Sequence, residues 1–476
     1  MDGEHPEDQW AQKWGRAYVE FAASDKRQWL QEQGVKFTPL VGWAERGSFA
    51  ANGHGNSVPR FHIPWGTGTG ISEPFANKAR EAVESGLVQF AFRHQVDGLV
   101  FTADKVTGVH GTVLAPETAK RGAPSNRQAI GTFEFTAQAV VIASGGIGGN
   151  HEQVRKWWPQ SLGTPPKKMI TGVPEYVDGR MLDIANEHGV RLVNRDRMWH
   201  YTEGLQNWNP IWPSHAIRIL PGPSSIWLDA RGRRLPAPGL PGYDTLGTLK
   251  ILRTTEDIRD YDYSWFILDQ SIIKKEFALS GSEQNPDITN RDVKLLIKSR
   301  LGRSATGPVE DFKKYGEDFV VADTLEQLVD SMNKLSGDHL LDLDEIASIL
   351  KARDNEVDNP CSKDAQTIGI QNSRRYLGDK LFRTAKPHKI LDKKHGPLIA
   401  VRLWVVTRKT LGGIQTDLAG RALGLDGTPI PGLLAAGEAA GFGGGGAHGY
   451  NALEGTFLGG CIFTGRTVGR SLAQVL

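Results

Sequence analysis

Cysteine is nearly absent: the 476 residues include only Cys361 and Cys461, too few for a disulfide framework. Redox chemistry, if present, is therefore expected to belong to a bound cofactor. Long apolar runs are missing too, none reaching the roughly 18 residues that a membrane span requires, and the first residues are acidic and polar. This points to a cytoplasmic protein acting on a small-molecule substrate. Neither sign of charge dominates, with 56 Lys and Arg against 54 Asp and Glu, and no basic stripe suggests a nucleic-acid partner. A GxGxxG fingerprint near Met1 is also missing. In its place Trp10, Trp14, Tyr18 and Phe21 fall near a 3.6-residue period, with Lys13, Arg16 and Glu20 between them, which predicts an amphipathic helix.

Glycine is plentiful, at 56 residues, and is densest near the C-terminus. From Pro429 the chain reads PIPGLLAAGEAAGFGGGGAHGYNALEGTFLGG. Leu433 to Ala436 predict a short buried strand, and Gly443 to Gly446 are expected to bring backbone close to something large and flat. A second apolar strand, Ala139 to Ala143, runs into Ser144-Gly145-Gly146-Ile147-Gly148-Gly149, the kind of strand-to-glycine turn where α/β sheets bind ligands. Before it, Glu73 to Glu84 predict a helix, and Val88 to Phe92, Gly98 to Phe101 and Val106 to Val113 predict strands. Gly66 to Gly70 lack Walker spacing.

These stretches resemble the flavin signatures of the fumarate reductase/succinate dehydrogenase flavoprotein and 3-ketosteroid dehydrogenase superfamily, the FAD-dependent oxidoreductase 2 family. The resemblance implies an α/β fold: a Rossmann-like FAD-binding domain with an inserted α+β capping domain. The segments would be 1–194 and 396–476 for the FAD-binding domain and 195–395 for the cap. Within the cap, Trp227 to Arg234 and Trp265 to Asp269 match family elements, with helices at Leu325 to Leu335 and Asp338 to Asp358. Because the first βαβ unit has no counterpart here, the chain is expected to start one unit late and to hold FAD weakly. A catalytically silent, truncated paralogue is the alternative reading.

The resemblance implies FAD contacts from Val96, Ala143, Ser144, Gly145, Gly146, Asp178, Glu438, Gly455, Thr456 and Phe457. Catalytic candidates come from four patches expected to converge. Pro59-Arg60-Phe61-His62 leads into the Gly66 turn. His200 and Tyr201 follow Trp199, where a substrate-binding histidine stands in the fumarate reducers. Arg408 and Lys409 fall in a segment ending in Leu411-Gly412-Gly413, with Lys409 at the place of a substrate-facing histidine. His448 and Tyr450 lie in His448-Gly449-Tyr450-Asn451-Ala452. Tyr243 is a further proton-transfer candidate in the cap. The family's carboxylate-binding arginine is replaced by Ala452, and Arg253 is displaced from the position of the other site arginine, which argues against a dicarboxylate. The C-terminal Tyr-Pro-Gly element of the ketosteroid branch is absent as well. Trp199, Trp208, Trp212 and Trp227 favour a flat, apolar substrate.

Overall fold

The computed structural model describes residues 5–38, 63–302, 304–450 and 455–475. The amphipathic N-terminal pattern forms the helix Gln9–Ala23, whose Trp14 and Phe21 are buried, followed by Lys26–Glu32. Trp14 and Phe21 pack on Phe463 of the long C-terminal helix Thr456–Val475, so the two ends of the described chain meet.

The pattern Val140–Ile142 is one continuous apolar run. It lies parallel to Pro429–Ala435, Leu433 opposite Val140 and Ala435 opposite Ile142, with Arg421–Leu423 antiparallel on the far side. The two glycine turns therefore leave the same end of neighbouring parallel strands. A meander of His94–Thr102, Lys105–Leu114 and Ala129–Thr136 lies beside this sheet. Leu99, Val106, Ile142, Leu182, Ile414, Leu433 and Ala439 join in one hydrophobic core beneath the turns.

A second core gathers Leu205, Trp227, Trp265, Phe266, Phe312, Met332 and Leu403 around a larger sheet. Its spine is the strand Leu398–Thr410, a nearly unbroken apolar run buried on both faces. The first half of that strand is flanked by Tyr263–Asp269 and Phe319–Ala322, the second half by Met198–Gln206 and Ile170–Thr171. The strand just after residue 195 and the strand just after residue 396 are thus hydrogen-bonded neighbours.

Two expectations need correction. Val88 to Phe92 form no strand: pairing begins at His94, and Val88, Phe90 and Phe92 are exposed. Alternation of apolar residues was the only strand signal there, and no partner strand answers it. Gly443 and Gly444 do approach something large and flat, but it is the N-terminal helix. A Cβ on Gly443 would sit 2.8 Å from the Trp14 ring and one on Gly444 2.5 Å from the Trp10 backbone. Among the described residues no helix is long and apolar enough to cross a membrane.

Candidate active site

The Ser144–Gly149 turn and the Ala436–Gly446 turn close on one another through Thr410. The Thr410 backbone amide donates to Glu438 Oε1 at 2.7 Å, and the Ile147 amide donates to Thr410 Oγ1 at 2.8 Å. There is no room between them for a side chain: a Cβ on Gly146 would lie 2.0 Å from Thr410 Oγ1 and 2.8 Å from Glu438 Oε1. Gly145 needs its glycine for another reason, a left-handed φ of 82°. Glu438 is half-buried, and desolvation pushes its carboxyl pKa up to about 7 against the Thr410 hydrogen bond and the Lys409 charge.

The third wall of this cradle is the segment before the helix Arg180–Glu187. The Gly149 amide donates to the Val177 carbonyl at 2.8 Å, and Asn150 Nδ2 reaches the Asp178 carbonyl. Asp178 Oδ1 accepts from the Arg180 amide, and Arg180 Nε in turn donates to the Val96 carbonyl at 3.1 Å. Val96, Asp178, Gly145, Gly146 and Glu438 are thereby linked along one rim, with Ala143 and Ser144 exposed at the end of the Val140–Ile142 strand.

A cationic group adjoins it. Lys409 Nζ donates to Tyr201 Oη at 2.8 Å and lies 3.9 Å over the Phe457 ring. Phe457, Phe442 and Leu411 form a small apolar cluster with Trp199 against it, and His448 contacts both phenylalanine rings. Burial, then the Lys409 charge, holds His448 down to about 4, so its imidazole is neutral near pH 7. The helix carrying Phe457 starts at Thr456, after Gly455 with a φ of 85°. Tyr450 stands at the neighbouring edge: its hydroxyl donates to Asp196, and the Arg197 guanidinium lies 4.9 Å over its ring. Arg408 is half-buried, 5.9 Å from the Tyr201 ring.

His200 stands apart from this group. Successive residues of a strand face opposite ways, and while Tyr201 turns to Lys409, His200 turns to Trp158, stacking at 4.9 Å. It is 3% exposed, and neither ring nitrogen has a hydrogen-bond partner among the described residues. Burial and then His151 push its pKa down to about 3. Tyr243 also stands apart, 46% exposed on a separate cavity. Arg253 is buried and holds the Thr164 and Tyr261 carbonyls. Arg60, His62 and Ala452 lie outside the described residues.

Sequence reasoning missed Arg218. Its guanidinium covers the Tyr201 ring at 3.7 Å, and the buried Glu203, its pKa raised by desolvation, feels its charge. A lone arginine in the apolar strand Ala216–Pro221 was the available signal.

The FAD binding domain family model matches residues 2–458. A KsdD-like steroid dehydrogenase of Mycobacterium tuberculosis (strain ATCC 25618 / H37Rv) is 56% identical over 471 residues, 99% of this chain and 82% of that protein. A KsdD-like steroid dehydrogenase of Mycolicibacterium smegmatis is 56% identical over 456 residues, 96% of this chain and 82% of that protein. Among solved structures, the open conformation of a flavocytochrome c3 fumarate reductase aligns with a TM-score of 0.59 at 19% identity, covering 99% of this chain and 68% of that one. The 3-ketosteroid-Δ4-(5α)-dehydrogenase of Rhodococcus jostii RHA1 aligns with a TM-score of 0.55 at 19% identity, covering 96% and 79%. Similarity this extensive does not favour the silent-paralogue reading. The residues also fit a large polar cofactor: the strand end at Ala143 and Ser144 is exposed beside the Gly145–Gly146 turn. Beside it, Trp199 Nε1 and His448 Nε2 are buried polar atoms without a partner among the described residues. The chain belongs to the FAD-binding family that includes these dehydrogenases and fumarate reductases, and it is an FAD-dependent oxidoreductase.

Proposed function

We propose that this oxidoreductase dehydrogenates a flat, apolar keto compound of the steroid class at a CH–CH bond. The cap would be residues 195–395, laid over an FAD-binding domain made of 1–194 and 396–476 with a Rossmann-like parallel sheet. The reading rests on the 56% identity to KsdD-like steroid dehydrogenases over nearly the whole chain, combined with the Lys409–Tyr201 pair beside the cofactor rim.

Glu438, Gly145, Gly146, Asp178 and Val96 would hold FAD, with Ala143, Ser144, Gly455 and Thr456 at its margins. Bound FAD supplies the two-electron acceptor. The chain's own task is the charge on the substrate. When a proton leaves the carbon next to a keto group, negative charge develops on the oxygen, and the half-buried Lys409 ammonium over Phe457 is placed to stabilise it. Tyr201, only 1% exposed, is a positioning residue: its oxygen fixes the ammonium, and Arg218 packed over its ring holds the ring in place. Trp199, Phe442, Phe457 and neutral His448 supply apolar, water-excluding walls.

The test is incubation of the FAD-loaded chain with saturated and Δ4 3-ketosteroids and an artificial electron acceptor, followed by mass spectrometry. A product short of one pair of hydrogens supports the reading. Flavin that stays oxidised with every ketosteroid, while another donor class reduces it, refutes it.

A further inference from the structure

The insertion contains a cavity of about 330 Å³ that touches none of the residues of the Lys409 group. On one side it is lined by Pro223 and by Leu240, Pro241 and Tyr243, and on the other by the helix Ala365–Ser373 and by Tyr376. The size lies within the range of small-molecule sites. Its walls are mainly apolar, with the Gln366 and Asn372 carboxamides, the Ser373 hydroxyl, the Tyr243 and Tyr376 phenols and the Asp379 carboxyl as the polar groups among them.

The walls are fixed. Gln366 Nε2 donates to the Pro223 and Ser225 carbonyls at 2.8 and 2.6 Å, which pins the helix to the opposite wall. Arg234 holds both Gln366 Oε1 and Asp364, and Asp364 caps the helix by accepting from the Thr367 amide. A preformed, braced cavity needs little ordering when a ligand enters.

The helix carries an exposed glycine on the cavity lining. Gly369 sits in mid-helix, where glycine is less favourable than alanine by about 1 kcal/mol. It has no left-handed φ to require it, and a Cβ there would meet no atom within 4 Å. Neither backbone conformation nor close packing explains the glycine, and it lines the cavity.

We infer that this cavity is a second binding site, for a flat apolar ring compound bearing a keto or hydroxyl group, the same class as the proposed substrate. The ligand class rests on the proposed function; the site itself does not. Tyr243 thereby acquires a role as a wall of this site.

Equilibrium dialysis of the FAD-loaded full chain with labelled 4-androstene-3,17-dione tests it. Wild type should bind one equivalent more than Gly369→Leu, which adds a bulky side chain at the cavity lining where a Cβ meets no atom, while Gly369→Leu keeps steroid-dependent flavin reduction. Lys409→Met should lose flavin reduction but keep the cavity equivalent. Gly369→Ala adds a methyl where there is room and favours the helix, so it should fold at least as well as wild type and keep the extra equivalent, and Tyr243→Ala should weaken that equivalent at least tenfold. Equal stoichiometry for wild type and Gly369→Leu, or a Tyr243→Ala protein that binds as wild type does, overturns the site. Cavity binding without steroid-driven flavin reduction in wild type would refute the proposed function and leave the cavity standing.

Discussion

Lys409 Nζ and Tyr201 Oη are 2.8 Å apart across two antiparallel strands, Lys409 opposite Trp199 and Tyr201 opposite Val406. The pairing register shifts between Val406 and Lys409, and this irregularity lets side chains that strict alternation would separate meet. Tyr201→Phe removes the acceptor and leaves the ring under Arg218. Its expected effect is a fall of about tenfold in flavin reduction by substrate, with FAD retention and thermal stability close to wild type, as read by stopped-flow absorbance and calorimetry.

His200 gives the opposite expectation. Its imidazole is held down to about 3 in the fold against an ordinary 6.5, so the unfolded chain binds more protons between these values. The stability it contributes is present above pH 6.5 and is lost as pH falls towards 3. His200→Leu should therefore flatten part of the acid limb of the stability profile and leave flavin reduction within a few-fold of wild type. A loss of rate comparable to that of Lys409→Met would move His200 into the site.

For Glu438 the sign reverses. Its folded pKa is raised to about 7 from 4.5, so the cofactor-free fold binds the proton more tightly than the unfolded chain does. The stability this contributes is present below pH 4.5 and is lost as pH rises to about 7. Urea melts of cofactor-free protein should show that decline in wild type and less of it in Glu438→Gln.

The rim is expected to be intolerant of bulk. Gly146→Ala places a methyl into Thr410 Oγ1 and Glu438 Oε1, so Thr410 must swing away and release the Ile147 amide. FAD retention should fall at least tenfold, measured by flavin fluorescence on dilution, while far-ultraviolet dichroism is kept.

Asp8 and Arg197 tie the N-terminal segment to the site. The pair is buried and bidentate, with Asn194 also donating to Asp8. Asp8→Ala leaves a buried guanidinium uncompensated, and a loss of about 3–5 kcal/mol is expected in denaturant unfolding.

Much of the glycine rim was legible in the sequence because it follows from local patterns. An apolar run ending in glycines marks a buried strand and its turn, and both such runs, at Ala139 and at Leu433, proved to be parallel neighbours. The role of Gly443 and Gly444 was not legible: their partner is Trp14 and its helix, distant in sequence, and glycine looks the same beside an indole as beside a flavin. His200 and Tyr201 show the other limit. Adjacent in sequence, they face opposite sides of one strand, and which side meets Lys409 depends on the shifted register of the Leu398–Thr410 strand. Arg218 was hidden for a similar reason, since its contact with Tyr201 arises from pairing between Ala216–Pro221 and Met198–Gln206.

The most direct measurement is anaerobic stopped-flow reduction of the FAD-loaded chain by a 3-ketosteroid, comparing wild type with Lys409→Met. Loss of one preorganised cation from developing negative charge is expected to slow reduction by about 10²–10³-fold, with FAD affinity changed by less than about threefold. Equal reduction rates in the two proteins, or a Lys409→Met protein that has simply lost its flavin, would contradict the assignment of Lys409 to the reacting substrate.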